Sequence, residues 1–579
     1  MILKALTDLY YNLQKRGILP EDGFAPVDVK FVLSLSSDGS VVDFMPTSSL
    51  SDTQQFILPV QSGRTSGVKP YFLADNSQYI LGFPKDDSEK NIRGAIEKFE
   101  ACKTYHNELL ESVDEPWATG VKSFFNKWNP ALCYENNKII EFKKELEKGA
   151  IIAFRVNGKN VHENEAAKNI WRDIYKNSET DDVAKKIICS VTSECDVLKN
   201  IHPPLKGVNG AQTSGAALVS YNCQSFESYG LKGGENAQVG EKAANAYTSA
   251  LNYLFKNKET RKFIGDLTLL FWANSGETEY SDFAATAILG DNDNEYYSEE
   301  DLMEIANTIS KGRPHTFNER LLNPDMPFYV LGLVGNQARY SVSFFYRNSF
   351  GKIIKNVNAH QERLKITGLK EKWLPPWLIL KQTVRPNSKD KANTIITSNL
   401  FKSIFNNAPY PTALLHGVIT RIRCGDDITS NKAAIIKAFY IKNPNSNCKG
   451  DVLTMGLNEE SVCVPYLLGR LFETYEEIQE RAAGRELNTT IKDKYFNTAS
   501  AAPSSVFPIL SKLSQNHLRK MDKGLSVYFE KRIQDILSSV DNFPKTLNLH
   551  EQSAFILGYY HQKQNRYLKN NFDSEKETV

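Results

Sequence analysis

Apolar residues recur along this chain in two rhythms, one suited to strands and one to helices. Residues 1–17, "MILKALTDLYYNLQKRG", carry an amphipathic helical pattern without the long apolar core and small-residue cleavage site of a signal peptide. Residues 28–46 alternate around a Ser-Asp-Gly turn, which predicts a hairpin. "QQFILPV" and "YFLADNSQYILGF" predict a second strand pair, joined by the exposed connection "QSGRTSGVKP". From Asn91 to Trp128 the pattern turns helical, and short strands at 150–156 and 187–194 flank a helix near Ala166 to Tyr175. Phe328 to Arg347 reads as two strands joined by a Gly335-Asn336 turn, with Tyr340, Val342 and Phe344 on one face.

The segment 369–398 mixes prolines and charges, as a junction would, and helical stripes follow it. Leu414, Leu415, Val418, Ile419 and Ile422 form one stripe; Leu467, Leu468, Leu471, Phe472 and Tyr475 form the next; Val506, Ile509, Leu510, Leu513 and Leu518 form a third. Periodic stretches around 525–540 and 554–560 complete a bundle. The expected class is α+β, with mixed α/β N-terminal and central regions and an all-helical C-terminal bundle. The expected units are 1–145, 146–385 and 400–579.

A chain of 579 residues exceeds one ordinary core, and 41% hydrophobic residues suffice to bury several. The net charge of +2 excludes a general positive field, so any nucleic-acid surface must be local. No window has the apolar length of a membrane span. Eight cysteines without a Cys-x-x-Cys give neither a disulfide framework nor a zinc set, which fits a reducing cytoplasm.

Familiar chemistry is missing. Gly234 and Gly240 are followed by Glu241 and Lys242, so the phosphate-loop spacing fails. "GDNDNEYY" opens like a calcium loop but has Tyr296 where the glycine belongs and Leu302 where the bidentate acid belongs. It reads better as a loop into a helix capped by Ser298, with Asp301 three residues on. Nine histidines show no His-x-x-x-His, and there is no Gly-x-Ser-x-Gly. The expectation is a non-catalytic protein with no metal and no cofactor. Its rival is a metal-dependent nuclease acting on DNA or RNA through Asp426, Asp427 or the Asp291/Asp293 loop. A purely architectural scaffold is a third reading.

Gly210 to Phe255 combines an apolar run, a glycine-punctuated loop and a helix. "AALVSYN" predicts a buried strand, "GLKGGENAQVG" a loop positioned by its flanks, and Ala243, Ala246, Tyr247, Ala250, Leu251 and Leu254 one helical face. These blocks, with "RTSGVKPYFLADNSQYILG", "LLFWANS", "FYVLGLVGNQARYSVSFF", "YPTALLHGVITRIRCGDD" and "AAIIKAFYIKN", run in family order over almost the whole chain. They resemble the large subunit of the type I-C CRISPR surveillance complex, Cascade. The loop departs from the family's usual "ENAPVSEKAA": Gln238 and Gly240 replace a proline and a serine, removing a rigid helix entry and an N-cap.

The resemblance implies recognition of the protospacer-adjacent motif on double-stranded DNA, help in opening the strands, and recruitment of a separate helicase-nuclease that cuts. Implied partners are the crRNA-bound backbone subunits, a small helical subunit, target duplex DNA and the helicase-nuclease; no membrane is involved. In this family the small subunit is made from an internal start, and Met455 sits where that start is expected.

Arg64, Lys69 and Asn76 are the first candidates for motif sensing: two cations for phosphates and an amide that both donates and accepts at base edges. Asn76 equally suits a turn residue bonding its own backbone. Gln212, Thr213 and Lys232, by the glycine loop, are candidates for a minor-groove probe or a wedge beside the displaced strand. Lys512, Arg519, Lys520 and Lys523 form a basic stripe for the DNA backbone. Lys512, Arg519 and Lys523 share a side away from Leu510, Leu513 and Met521, which also suits a solvated face.

Overall fold

A computed structural model describes residues 1–48, 52–61, 67–178, 185–290, 297–443, 450–484 and 489–576. The architecture is α+β: small sheets in the first two thirds, then helices.

The first sheet is mixed. Phe31–Leu35 pairs antiparallel with Val41–Pro46 and parallel with Ile151–Val156, which also pairs with Ala74–Asn76 and with Lys159–Asn160. The predicted hairpin is therefore present. The second strand pair is not: Gln54–Pro59 pairs with Phe24–Val29 instead, and Ala74–Asn76 with Ile151–Val156. Alternation marks a strand but not its partner, which here is chosen across the chain by packing. Helices Glu89–Leu109 and Pro116–Lys127 cover this sheet, burying Phe99, Phe124 and Phe125 with Phe31, Leu33 and Phe154.

The second sheet orders Arg261–Ile264, Leu267–Ala273, Pro327–Asn336 and Arg339–Ser349, all antiparallel. Every residue of Leu267–Ala273 is buried, because both faces of the sheet are covered and an uninterrupted apolar strand fits only there. Leu270 and Trp272 meet helices Ile2–Lys15 and Glu241–Lys256. Leu269 and Phe271 face the opposite way, into the core shared with the C-terminal helices. The N-terminal helix thus serves the central core rather than the N-terminal one, and the central sheet is continuous with the bundle.

Two sequence expectations for this hairpin are corrected. Its turn lies at Gln337-Ala338, since Asn336 pairs with Arg339. A bulge leaves Ser343 unpaired between Val342 and Phe344, so Phe344 enters the core opposite Tyr340 while Val342 is exposed. One extra residue reverses the face of everything beyond it.

Helix Val464–Ala483 is buried along most of its length and crosses Leu549–Lys576 at very short range. A Cβ on Gly469 would lie 2.0 Å from the Phe555 carbonyl, and one on Gly558 2.0 Å from that of Tyr466. Only glycine allows main chains this close. Inside the crossing, Glu477 pairs with Arg532 at 2.6 Å and Arg481 at 2.9 Å, and Glu480 with Arg566 at 2.7 Å. No helix among the described residues is long and apolar enough to cross a membrane.

Candidate nucleic-acid interface

Arg64 lies outside the described residues; Lys69 is exposed on the connection that follows. Asn76 ends the short strand Ala74–Asn76 and caps helix Ser77–Ile80, its Oδ1 accepting the Gln78 N–H at 3.0 Å. It therefore makes the local backbone bond that its residue type suggested, and the amide donors have no partner among the described residues.

The backbone leading to Asn76 is clamped. Leu73 is buried at φ +65°, a left-handed conformation costly for a branched side chain. Its N–H donates to Nε2 of His106 at 3.1 Å, and His106 Nδ1 faces the Cys102 carbonyl at 2.8 Å. That pairing places the proton on Nδ1. Burial holds the imidazole down at a pKa of about 4, so it stays neutral. Asp75, fully buried, accepts the Tyr71 N–H at 2.9 Å and the Asn76 N–H at 2.7 Å. His106 and Leu73 carry no local signal in the sequence, because they stand 33 positions apart.

The glycine loop differs from expectation in two ways. "AALVSYN" forms no strand: Ala216 and Ala217 make single bridges to Leu205 and Arg339, and 217–221 are half-buried. The loop also has its own ties. Asn236 accepts the Ser228 N–H at 3.0 Å and donates to the carbonyls of Leu231 and Gly233 at 3.1 and 3.0 Å. Glu227 accepts the Gly233 N–H at 2.9 Å, and Glu235 the Lys232 N–H at 2.9 Å. The Lys232 side chain is exposed.

Gln212 and Thr213, also exposed, sit on a different support. The Gln212 N–H donates to the Gln337 carbonyl at 2.9 Å at the hairpin tip. The glycine loop instead rests on 189–200, where Ser190 and Lys199 N–H groups donate to Gln238 and Val239. Arg339 bridges toward the loop, its guanidinium 3.6 Å over the Phe226 ring and bonded to Asn222.

Lys512, Arg519, Lys520 and Lys523 are all exposed across the junction of helices Pro503–Leu518 and Lys523–Leu537, and none forms an ion pair among the described residues. Asp522, the acid between them, is committed to capping the second helix through the N–H groups of Gly524 and Leu525. Arg532, three turns on, belongs instead to the buried ion network.

The carboxylates proposed for nuclease chemistry are tied to cations. Asp426 receives Arg421 Nη2 at 2.7 Å and Nε at 3.0 Å, with Lys432 at 3.5 Å. Burial raises its pKa, but these cations outweigh burial and hold it below the usual carboxylate value. Asp427 pairs with Lys492 at 2.7 Å. Asp291 and Asp293 lie outside the described residues. Among the described residues, no three His, Cys, Asp or Glu side chains gather as a metal set.

Interlocked apolar cores and cations displayed on separate surfaces define a multi-core α+β protein that concentrates positive charge locally on a nearly neutral chain. The chain belongs to the CRISPR-associated protein family Cas_Csd1, whose family model matches residues 6–567. This places it among the large subunits of Cascade-type CRISPR assemblies. No curated protein matches it.

Proposed function

We propose that the chain is the non-catalytic large subunit of a type I-C surveillance complex. In that role it recognises the protospacer-adjacent motif on duplex DNA, aids strand opening and recruits the helicase-nuclease. The family match over residues 6–567 carries this reading, because it spans both the clamped Asn76 segment and the C-terminal cations. The Asn76 amide would read base edges in a groove, with Lys69 on adjacent phosphates, while Gln212, Thr213 and Lys232 would approach from the hairpin tip and the glycine loop. Binding partners would be crRNA-bound backbone subunits and a small helical subunit translated from Met455, which is exposed in the loop ahead of helix Val464–Ala483.

The test is binding of the assembled complex to duplexes randomised at the flanking motif, at a stated salt concentration. Asn76→Asp keeps the capping oxygen and removes the amide donors. It is expected to flatten motif preference while leaving the complex assembled. Unchanged preference would remove Asn76 from the reading role, and absence of any preference in the parent complex would remove the function itself. Labelled DNA with Mg²⁺ or Mn²⁺ should stay intact, and mass spectrometry of the complex should show a fragment beginning at Met455.

A further inference from the structure

Tyr229 is 100% exposed, unlike any other tyrosine among the described residues. It also sits at φ +56°, followed by Gly230 at +75°, and the Leu231 N–H donates to the Ser228 carbonyl at 3.0 Å. This is the sign pattern of a type I′ turn, whose first central position favours Asn, Asp or Gly. A tyrosine there is strained and gains no contact in return among the described residues. Such a breach of a local rule, without compensation in the fold, marks a position selected for something outside it.

The turn that carries the ring is held firmly in its main chain. The bonds of Asn236 to Ser228 and Leu231 fix the main chain of the turn, so a stacking ligand has only the tyrosine's own rotamers left to order. Three residues upstream in the sequence, Phe226 is partly exposed under the Arg339 guanidinium, which adds a cation and a flat surface to the same loop. Lys232, exposed just beyond the turn, offers charge for a phosphate.

We propose that Tyr229 is a stacking platform for an unpaired nucleobase, presented where the duplex is opened. An exposed aromatic ring beside cations suits a base because every base has a π-face and a neighbouring phosphate. This deepens the reading of the chain as a DNA-handling subunit and rests on it.

The test uses the full-length chain and a short oligothymidylate, compared with an abasic oligomer of equal length and charge, by fluorescence anisotropy. The parent should prefer the base-bearing strand. Tyr229→Ala should weaken that binding by about tenfold and leave abasic binding unchanged. Tyr229→Trp and Tyr229→Phe should retain it. Tyr229→Gly relieves the turn, so it should fold at least as well as the parent yet bind as poorly as the alanine variant. Equal affinity for abasic and base-bearing strands would overturn the proposal. So would a Tyr229→Ala chain that binds thymidylate normally but fails to enter the assembled complex, since the ring would then cover a protein subunit. Motif preference on randomised duplexes, measured separately, reports on the parent function, so the two readings fail independently.

Discussion

The carboxylate of Asp196 accepts the main-chain N–H of Lys242 at 3.0 Å, reaching across 46 residues to cap helix Glu241–Lys256. Gly240 makes this possible: a Cβ there would stand 2.1 Å from Asp196 Oδ2. Gly240 stands where the resemblance implies a serine that would cap from within, and here the helix borrows its cap from outside. The lost N-cap predicted for Gly240 is thus replaced, and the loop enters the helix under constraint.

Asp196→Ala should therefore destabilise the protein by about 1 kcal/mol, the usual worth of an N-cap. Gly240→Ser alone should also destabilise, by expelling Asp196. Combined, the two substitutions should recover most of the loss, because the serine hydroxyl can cap once the carboxylate is gone. Thermal unfolding of the four proteins forms the cycle, and strict additivity would refute the exchange.

Features governed by neighbours in sequence were the legible ones. The Ser298 cap, with its hydroxyl accepting the Asp301 N–H and Asp301 returning to the Ser298 N–H, needs only four residues and was readable as such. The face Ala243 to Leu254 is fully buried, as its spacing predicted, and the basic stripe faces away from buried Leu510. Two local readings failed, the turn at Gln337-Ala338 and the strand at 216–222; what else was missed was non-local. The partner of helix Ile2–Lys15, the pairing of Gln54–Pro59, and the His106 bond that sustains Leu73 depend on residues far apart. The Ser343 bulge shifted a periodicity by one residue, and that sufficed to misplace Phe344. At the candidate interface, types and charges were readable while the supports were not: Gln212 and Lys232 stand on separate scaffolds.

Glu473 predicts a pH dependence in the bundle. It is buried with no hydrogen-bond partner on either oxygen among the described residues, and Arg566 is 3.8 Å away. Burial, reinforced by Glu477, pushes its pKa up to about 8 against the attraction of Arg566, Arg532 and Lys563. Its folded value thus exceeds its unfolded value of 4.5, so its contribution is fully present below 4.5 and lost as pH rises toward 8. Glu473→Gln, a neutral mimic, should be more stable than the parent above pH 8, by on the order of 5 kcal/mol at most, with the gap closing toward pH 4.5. A constant difference across that range, by denaturant unfolding, would contradict the assignment.

Four buried histidines impose the opposite trend. His202, His360 and His561 each bond a tyrosine hydroxyl through Nδ1, to Tyr247 at 2.6 Å, Tyr410 at 2.6 Å and Tyr466 at 2.9 Å, and His106 holds Leu73. Burial depresses all four, to about 4 for His106, His202 and His561 and about 3 for His360. Their folded values lie below the unfolded 6.5, so the stability they confer is present above pH 6.5 and is lost as pH falls toward 4. The melting temperature should drop across that window. Unfolding near pH 5 should take up protons, measured by calorimetry in buffers of different ionisation enthalpy. Proton release there would refute the neutral assignments.

The C-terminal cations make a prediction about salt. Lys512, Arg519, Lys520 and Lys523 are exposed and free of ion pairs among the described residues, so each can neutralise a phosphate without first breaking a contact. Each such contact contributes roughly 0.7 to 0.9 to the slope of log affinity against log salt. Replacing all four with alanine should flatten that slope by about 3 and weaken binding equally on every motif variant, because phosphates carry no base identity. Asn76→Asp should do the converse, altering motif preference while most of the slope remains, because it removes no phosphate contact and adds a single negative charge. Should the fourfold variant retain the parent slope in salt titrations of the assembled complex, the stripe is a solvated face. Its charges would then serve solubility alone, and the DNA backbone would be held elsewhere.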